Sequence, residues 1–298
     1  MQELHIDTPE GLEQLCSRLR GSPWLALDTE FMREKTYYAQ LCLLQIGNGE
    51  LAASVDPLKL EDLSPLLEII YDPAIVKVFH SGRQDLELFY QRWGRLPEPL
   101  FDTQPAAEAT GLGNQVGYAR LVHTLLDHQL EKGHTRTDWS RRPLRPEQQR
   151  YALDDVIYLG RIYLKLRESL GELEDDEILQ RELARLADPD TYVTRPQDAW
   201  QRIKARKFLK GNQLAVLQAL AGWRESEAMR ADKPRGWILK NEALYELSRN
   251  PPETTAQLKK VRGLTPRMVQ RRGKLLLDLI AKAVELPESQ WPVEKRKR

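Results

Sequence analysis

The order of short apolar runs in the first hundred residues narrows the fold more than any other feature of this sequence. Residues 24–31 (WLALDTEF), 41–47 (LCLLQIG) and 51–56 (LAASVD) are of strand length and lie a turn apart, which predicts an antiparallel meander. The pattern then changes. Residues 63–71 have helical spacing, 75–79 form a β-branched run, 85–93 (DLELFYQRW) are helical again, and 100–103 suit a short strand. Three strands followed by alternating helix and strand predict an α/β fold, a mixed sheet covered by helices.

From Pro105 onward the periodicity is helical. Pro146 opens a long helix through Tyr151, Val156, Ile162 and Leu166, since proline suits the first helical turn. A second helix covers 176–186, and further helices cover 212–230, 240–248, 256–261 and 266–285, with Pro251, Pro252 and Gly263 as breakers. The proline-containing segment 188–197 (DPDTYVTRPQ) reads as a linker. It falls where the charge changes sign. Residues 1–190 carry 21 Lys/Arg against 33 Asp/Glu, net −12, and 191–298 carry 24 against 11, net +13, inside an overall charge of +1. The expected organisation is a sheet domain at 1–190, a linker with a leading helix at 191–209, an all-α domain at 210–290 and a basic tail at 291–298.

Composition excludes several classes. With 41% hydrophobic and 30% charged residues the chain is globular. Cys16 and Cys42 show no metal-binding spacing, build no disulfide scaffold and suit a reducing cytoplasm. No basic-then-apolar leader opens the sequence and no run approaches 18 apolar residues, so a cytoplasmic protein without a membrane span is expected. The basic C-terminal third calls for a polyanion partner. The acidic first part would repel nucleic acid unless metal ions neutralise some of its carboxylates.

The carboxylates supply the chemistry. In a strand, the period of two puts Asp28 and Glu30 on one face. Asp85 opens a helix after a strand, where a capping role competes with a functional one. Tyr151 and Asp155, at i and i+4, share a helix face, while Asp154 points about 100° away. Hard divalent ions such as Mg²⁺ or Mn²⁺ prefer oxygen ligands, and a pair of them acts on phosphodiesters. Asp28, Glu30, Asp85 and Asp155 are thus candidate ligands for two such ions. Tyr151, with an ordinary pKa near 10, suits the positioning of the attacking water better than the role of base.

Asp28-Thr29-Glu30, Asp85 and the Y-x-x-x-D of Tyr151 and Asp155 resemble the DEDDy exonuclease signature. The strings LALDTEFMREKTYY, FHSGRQDLELF, HTRTDWSRRPL and YALDDVIYL are similar to the bacterial ribonuclease D family through about residue 170. The resemblance implies a ribonuclease H-like sheet domain that removes nucleoside 5′-monophosphates from RNA 3′ ends. Transfer RNA precursors with 3′ extensions are the implied partners. The segment beginning NQLAVLQALAGW resembles the helical HRDC domain, which helps to bind nucleic acid. Members commonly carry two such domains, whereas this sequence contains one.

Candidate substrate contacts are Phe31, Met32 and Gln45 near the acid pair, and Asp138 and Trp139 in a polar loop with Thr137, Arg141 and Arg142. For Phe31 the core reading is the favoured one, and Trp139 is equally a loop anchor. Asp102 is read as a cap. His80 and His123 lack zinc-ligand spacing, and residues 111–117 (GLGNQVG) lack a dinucleotide fingerprint. Lys204, Arg206, Lys207 and Lys210, then Arg267, Arg271, Arg272 and Lys274, offer phosphate contacts, as does the 261–266 turn. Two further readings stand beside the leading one: a nucleic-acid-binding module with a retired nuclease fold, and a DNA-directed proofreading or repair exonuclease. A monomer is expected.

Overall fold

The computed structural model describes residues 1–130, 137–171 and 176–293. The chain forms two units. A sheet unit comprises Met1–Met32 and Ala39–Val193, and a helical unit comprises Arg33–Tyr38 together with the chain from Thr194 onward.

The sheet unit has six strands, β1 (Gln2–Ile6), β2 (Trp24–Met32), β3 (Gln40–Gly47), β4 (Leu51–Val55), β5 (Val76–Phe79) and β6 (Leu100–Asp102). Their order is β1-β4-β3-β2-β5-β6. The expected meander forms β2, β3 and β4, paired antiparallel. Beyond it, β1 pairs parallel with β4, and β5 and β6 extend the sheet in parallel from β2. β2 is therefore central, with one antiparallel and one parallel neighbour.

Helices cover both faces. On one face α1 (Pro9–Leu19), α2 (Ser64–Ile70) and α3 (Arg83–Trp93) pack Leu15, Leu66 and Phe89 against Leu25, Leu27 and Ile46. On the other, α4 (Thr103–Ala109), α5 (Tyr118–Leu126), α6 (Pro146–Leu170) and α7 (Glu177–Ala187) cover Trp24, Ala26 and Val78. Strand alternation thus sends Trp24, Ala26, Asp28 and Glu30 toward the α6 side.

Close packing seats α6. A side chain at Gly160 would place its Cβ 2.6 Å from the Trp24 ring, so glycine lets the helix approach β2. Asp155 and Tyr151, about one and a half and two and a half turns earlier, are thereby carried toward the far end of that strand. A similar demand operates before α3, where a Cβ on Gly82 would lie 2.5 Å from Phe79.

The helical unit consists of α8 (Asn212–Ala231), α9 (Arg235–Ile238), α10 (Asn241–Arg249), α11 (Thr255–Leu258) and α12 (Pro266–Val284). Leu217, Leu220, Leu244, Leu247, Leu276 and Ile280 fill its core. Thr265 caps α12 by accepting from Met268 N at 3.2 Å, with Pro266 in the first turn. Residues 196–208, the stretch expected to hold a leading helix, form two 3₁₀ segments instead. The segment Arg33–Tyr38, between β2 and β3, belongs to this unit. Tyr37 is buried there, donates to Glu225 at 2.5 Å and lies under the Arg235 guanidinium. The EKRKR end of the basic tail, residues 294–298, lies outside the described residues, as do residues 131–136, which include the start of the HTRTDWSRRPL string.

Candidate active site

Asp28, Glu30 and Asp155 each place a carboxylate oxygen within 4.8 Å of the other two. The first two come from β2 and the third from α6. No lysine or arginine ion-pairs with them among the described residues. Burial is the main reason that these groups hold protons tightly. It raises Glu30 to about 8, with help from Asp155 and Asp85. It also raises Asp155 to about 8, with help from Asp154 and Asp85, and it lifts Asp28 well above the carboxylate range, reinforced by Asp155, Asp85 and Glu30.

Asp85 completes the acidic set from the first turn of α3. Buried at 8% exposure, it is raised to about 6 by desolvation, partly offset by a hydrogen bond that Thr29 Oγ1 donates to Oδ1. Thr29 faces away from its neighbours Asp28 and Glu30, and so reaches the α3 side. The N-cap of α3 is Gly82, and the Asp85 carboxylate in the first turn also accepts from its own backbone N–H. Tyr151 is half-buried, and desolvation together with Asp155, Glu30 and Asp28 pushes its hydroxyl further above its ordinary value. It stays a neutral phenol at working pH. Asp154 turns away to Arg150.

The proposed substrate contacts divide. Phe31 and Met32 are partly exposed beyond Glu30 at the end of β2, where a bulge shifts the strand register. Gln45 is paired with Asp28 across the β2–β3 ladder and is completely buried, with both amide atoms unpartnered. Trp139 is 2% exposed and packs with Cys42, Leu43, Leu144 and Ala152 beside Tyr151. Its position is that of a loop anchor. Asp138 accepts from Ser140 Oγ at 2.5 Å and from Arg141 Nε at 3.0 Å at the surface. Arg142 is held by Asp56 at 2.5 and 2.8 Å and by the carbonyls of Cys42 and Trp139.

Sequence reasoning missed the roles of two supporting groups. Tyr118 donates to the Asp155 carbonyl at 2.5 Å, and Asp155 and Asp28 add to the desolvation that raises its hydroxyl. It ties α5 to the turn of α6 that carries Asp155. Its only signal in the sequence is an aromatic residue after a glycine-rich turn. Asp102 caps α4, as expected, but it also accepts from Ser81 N and Gly82 N at 2.9 and 2.8 Å, fixing the turn that leads to Asp85.

An all-oxygen donor set that is desolvated and has no protein cation paired with it among the described residues fits a hard divalent ion, and so does the orphaned Gln45 amide beside it. The fold and this acidic site define the class of 3′–5′ exonucleases. A family model described as 3′-5′ exonuclease matches residues 4–171, and one described as HRDC domain matches residues 213–280. The chain is 44% identical over 296 residues to the ribonuclease D of Sphingobium indicum, covering 98% of this chain and 76% of that protein. It is 43% identical to the ribonuclease D of Acidiphilium cryptum, at 98% and 74% coverage. Among solved structures it is similar to Escherichia coli RNase D, described as an exoribonuclease involved in structured RNA processing. The TM-score is 0.87 at 38% identity, with 98% of this chain and 78% of that chain covered. The chain belongs to the ribonuclease D family of exoribonucleases. No helix among the described residues is long and apolar enough to cross a membrane.

Proposed function

We propose that this exoribonuclease shortens structured RNAs from their 3′ ends, transfer RNA precursors with 3′ extensions among them, and releases nucleoside 5′-monophosphates. The single observation that carries the reading is the convergence of Asp28, Glu30 and Asp155 within 4.8 Å, with no lysine or arginine ion-paired to them among the described residues. Asp28, Glu30 and Asp155, with Asp85 beside them, would hold two divalent ions, Mg²⁺ or Mn²⁺. When bound, such ions supply charge neutralisation at the phosphodiester and a lowered pKa for the attacking water.

The protein groups do the rest. Tyr151, a phenol throughout the working range, holds the water by a hydrogen bond and fixes its approach to phosphorus. Water adds to phosphorus, the bond to the preceding O3′ breaks, and O3′ leaves with a proton. The phosphate therefore stays on the 5′ carbon of the released nucleoside. Phe31 and Met32 at the end of β2 are placed to meet the terminal base. All five motif groups come from one chain, which supports action as a monomer, and the two buried free cysteines suit the cytoplasm.

The test is hydrolysis of a 3′-tailed transfer RNA and of a matched DNA strand with Mg²⁺ or Mn²⁺, comparing the wild type with Asp28→Ala. The wild type is expected to yield mononucleotides from RNA, and Asp28→Ala to lose about 10³-fold or more in rate, the scale of removing a principal electrostatic element. Full activity in Asp28→Ala would overturn the site. Internal cleavage fragments would overturn the reaction.

A further inference from the structure

A second electrostatic mismatch lies in the helical unit, and its sign is reversed. A cavity of about 350 Å³ there is lined by Arg202, Arg224, Arg235, Lys240, Asn241 and a single carboxylate, Glu225. This volume is in the range of small-ligand pockets. Glu225 is already committed, since it takes Arg235 Nε at 2.6 Å and Arg235 Nη2 at 2.7 Å, and accepts from Tyr37 OH.

Arg224 has no direct ion pair among the described residues, and the attraction of the neighbouring Glu225 does not outweigh the cost of its burial. It is 4% exposed, yet its hydrogen bonds run from Nη1 to two neutral acceptors, the Leu239 carbonyl at 3.0 Å and Asn241 Oδ1 at 2.7 Å. Its buried Nε–H has no acceptor. No carboxylate among the described residues ion-pairs with it. A buried guanidinium without an anion is costly, and its planar fork suits phosphate oxygens. Arg202 and Lys240 are exposed at the rim and have no ion-pair partner among the described residues. Trp237, 61% exposed, immediately follows the lining residue Gly236. An exposed aromatic ring beside a cationic groove is the arrangement that single-stranded nucleic acid uses, with phosphates on the cations and a base stacked on the ring.

We propose that this cavity is a phosphate-binding subsite for single-stranded RNA, with Arg224 at its base, Arg202 and Lys240 at its rim and Trp237 as a base platform. The proposal rests on the RNA reading given above. It differs from the basic groups on α12 and at 204–210, which lie outside this cavity.

The test reads binding without turnover. A fluorescent single-stranded oligoribonucleotide is titrated into the full chain in EDTA, comparing wild type, Arg202→Ala/Lys240→Ala, Trp237→Ala and a charge-matched control, Lys259→Ala/Lys260→Ala. The rim pair is expected to weaken binding about tenfold and to flatten the salt dependence by about 0.7 in log–log slope for each phosphate that is no longer neutralised. The control should change much less. Trp237→Ala should weaken binding with the slope unchanged. In parallel, inorganic phosphate alone should shift the Arg224 Nε–H resonance in the wild type. Equal losses in the rim pair and the control would overturn the subsite. An unmoved Arg224 resonance would do so as well. A shift with phosphate but unaltered RNA affinity in the rim pair would assign the cavity to the free ion and overturn the RNA proposal. Because no hydrolysis is read, failure of the cleavage assay and failure of this one are distinguishable.

Discussion

The two units bury charge in opposite ways. In the helical unit burial would lift Glu225, but hydrogen bonds from Arg235 and Tyr37 outweigh it and hold the carboxyl below its ordinary value. In the sheet unit Asp28, Glu30 and Asp155 face one another and are pushed upward. The contrast recurs within the sheet unit itself, because burial of Asp56 is outweighed by the hydrogen bonds of Arg142. A buried charge that meets its opposite is architecture, whereas one left unmatched marks a place for a ligand. Arg224 is the cationic counterpart of the acid cluster under the same rule.

Breaking a matched pair should damage the fold, and altering the unmatched cluster should damage function while sparing it. Arg142→Ala strands the fully buried Asp56 carboxylate, so a loss of about 3 to 5 kcal/mol in unfolding free energy is expected by urea titration. A loss below about 1 kcal/mol would mean that water replaces the guanidinium and the pair is not structural. Tyr151→Phe keeps the ring on Trp139 but removes the hydroxyl. Its rate should fall about 10²-fold with RNA affinity intact, read as kcat against KM. An effect confined to KM would move Tyr151 from the water to the substrate.

The smallest effect is on pH dependence. Unfolded carboxyls titrate near 3.8 to 4.5, whereas Glu30 and Asp155 in the folded chain titrate near 8. The folded state therefore binds protons more tightly. Its stability from these groups is full below about pH 4 and is lost as the pH climbs through about 8. In EDTA the Tm contribution of the cluster should fall between pH 5 and 8, and Asp28→Asn should flatten that fall and raise Tm at pH 8. Added Mg²⁺ should raise the wild-type Tm more at pH 8 than at pH 5. A wild type and Asp28→Asn with parallel profiles would remove like-charge repulsion as the cause.

Much of the fold and site is legible in the sequence because it rests on local rules. Alternation fixes the shared face of Asp28 and Glu30, helical spacing fixes that of Tyr151 and Asp155, and the sheet-forming runs show their apolar pattern. The strand β1 escapes such rules: Gln2–Ile6 is a half-polar edge strand that becomes a strand only through its partner β4. The allegiance of Arg33–Tyr38 to the helical unit depends on Glu225 and Asp232, nearly 200 residues away. The burial of Gln45 follows from tertiary packing that no window of sequence contains. The role of Tyr118 likewise depends on the position of the Asp155 carbonyl. The cavity around Arg224 is equally invisible, because Arg202, Arg224, Arg235 and Lys240 come from separate elements that only the fold brings together.

Whether the unmatched carboxylates are a metal site is decided by calorimetric titration of Mn²⁺ into the wild type and into Asp28→Asn, with Tm and circular dichroism confirming that both are folded. The wild type should bind saturably, with an affinity that weakens as pH falls below about 8. Asp28→Asn should lose this binding or weaken it by at least about tenfold, a loss of about 1.4 kcal/mol or more. Equal Mn²⁺ affinity in the two proteins would contradict a metal site built on Asp28.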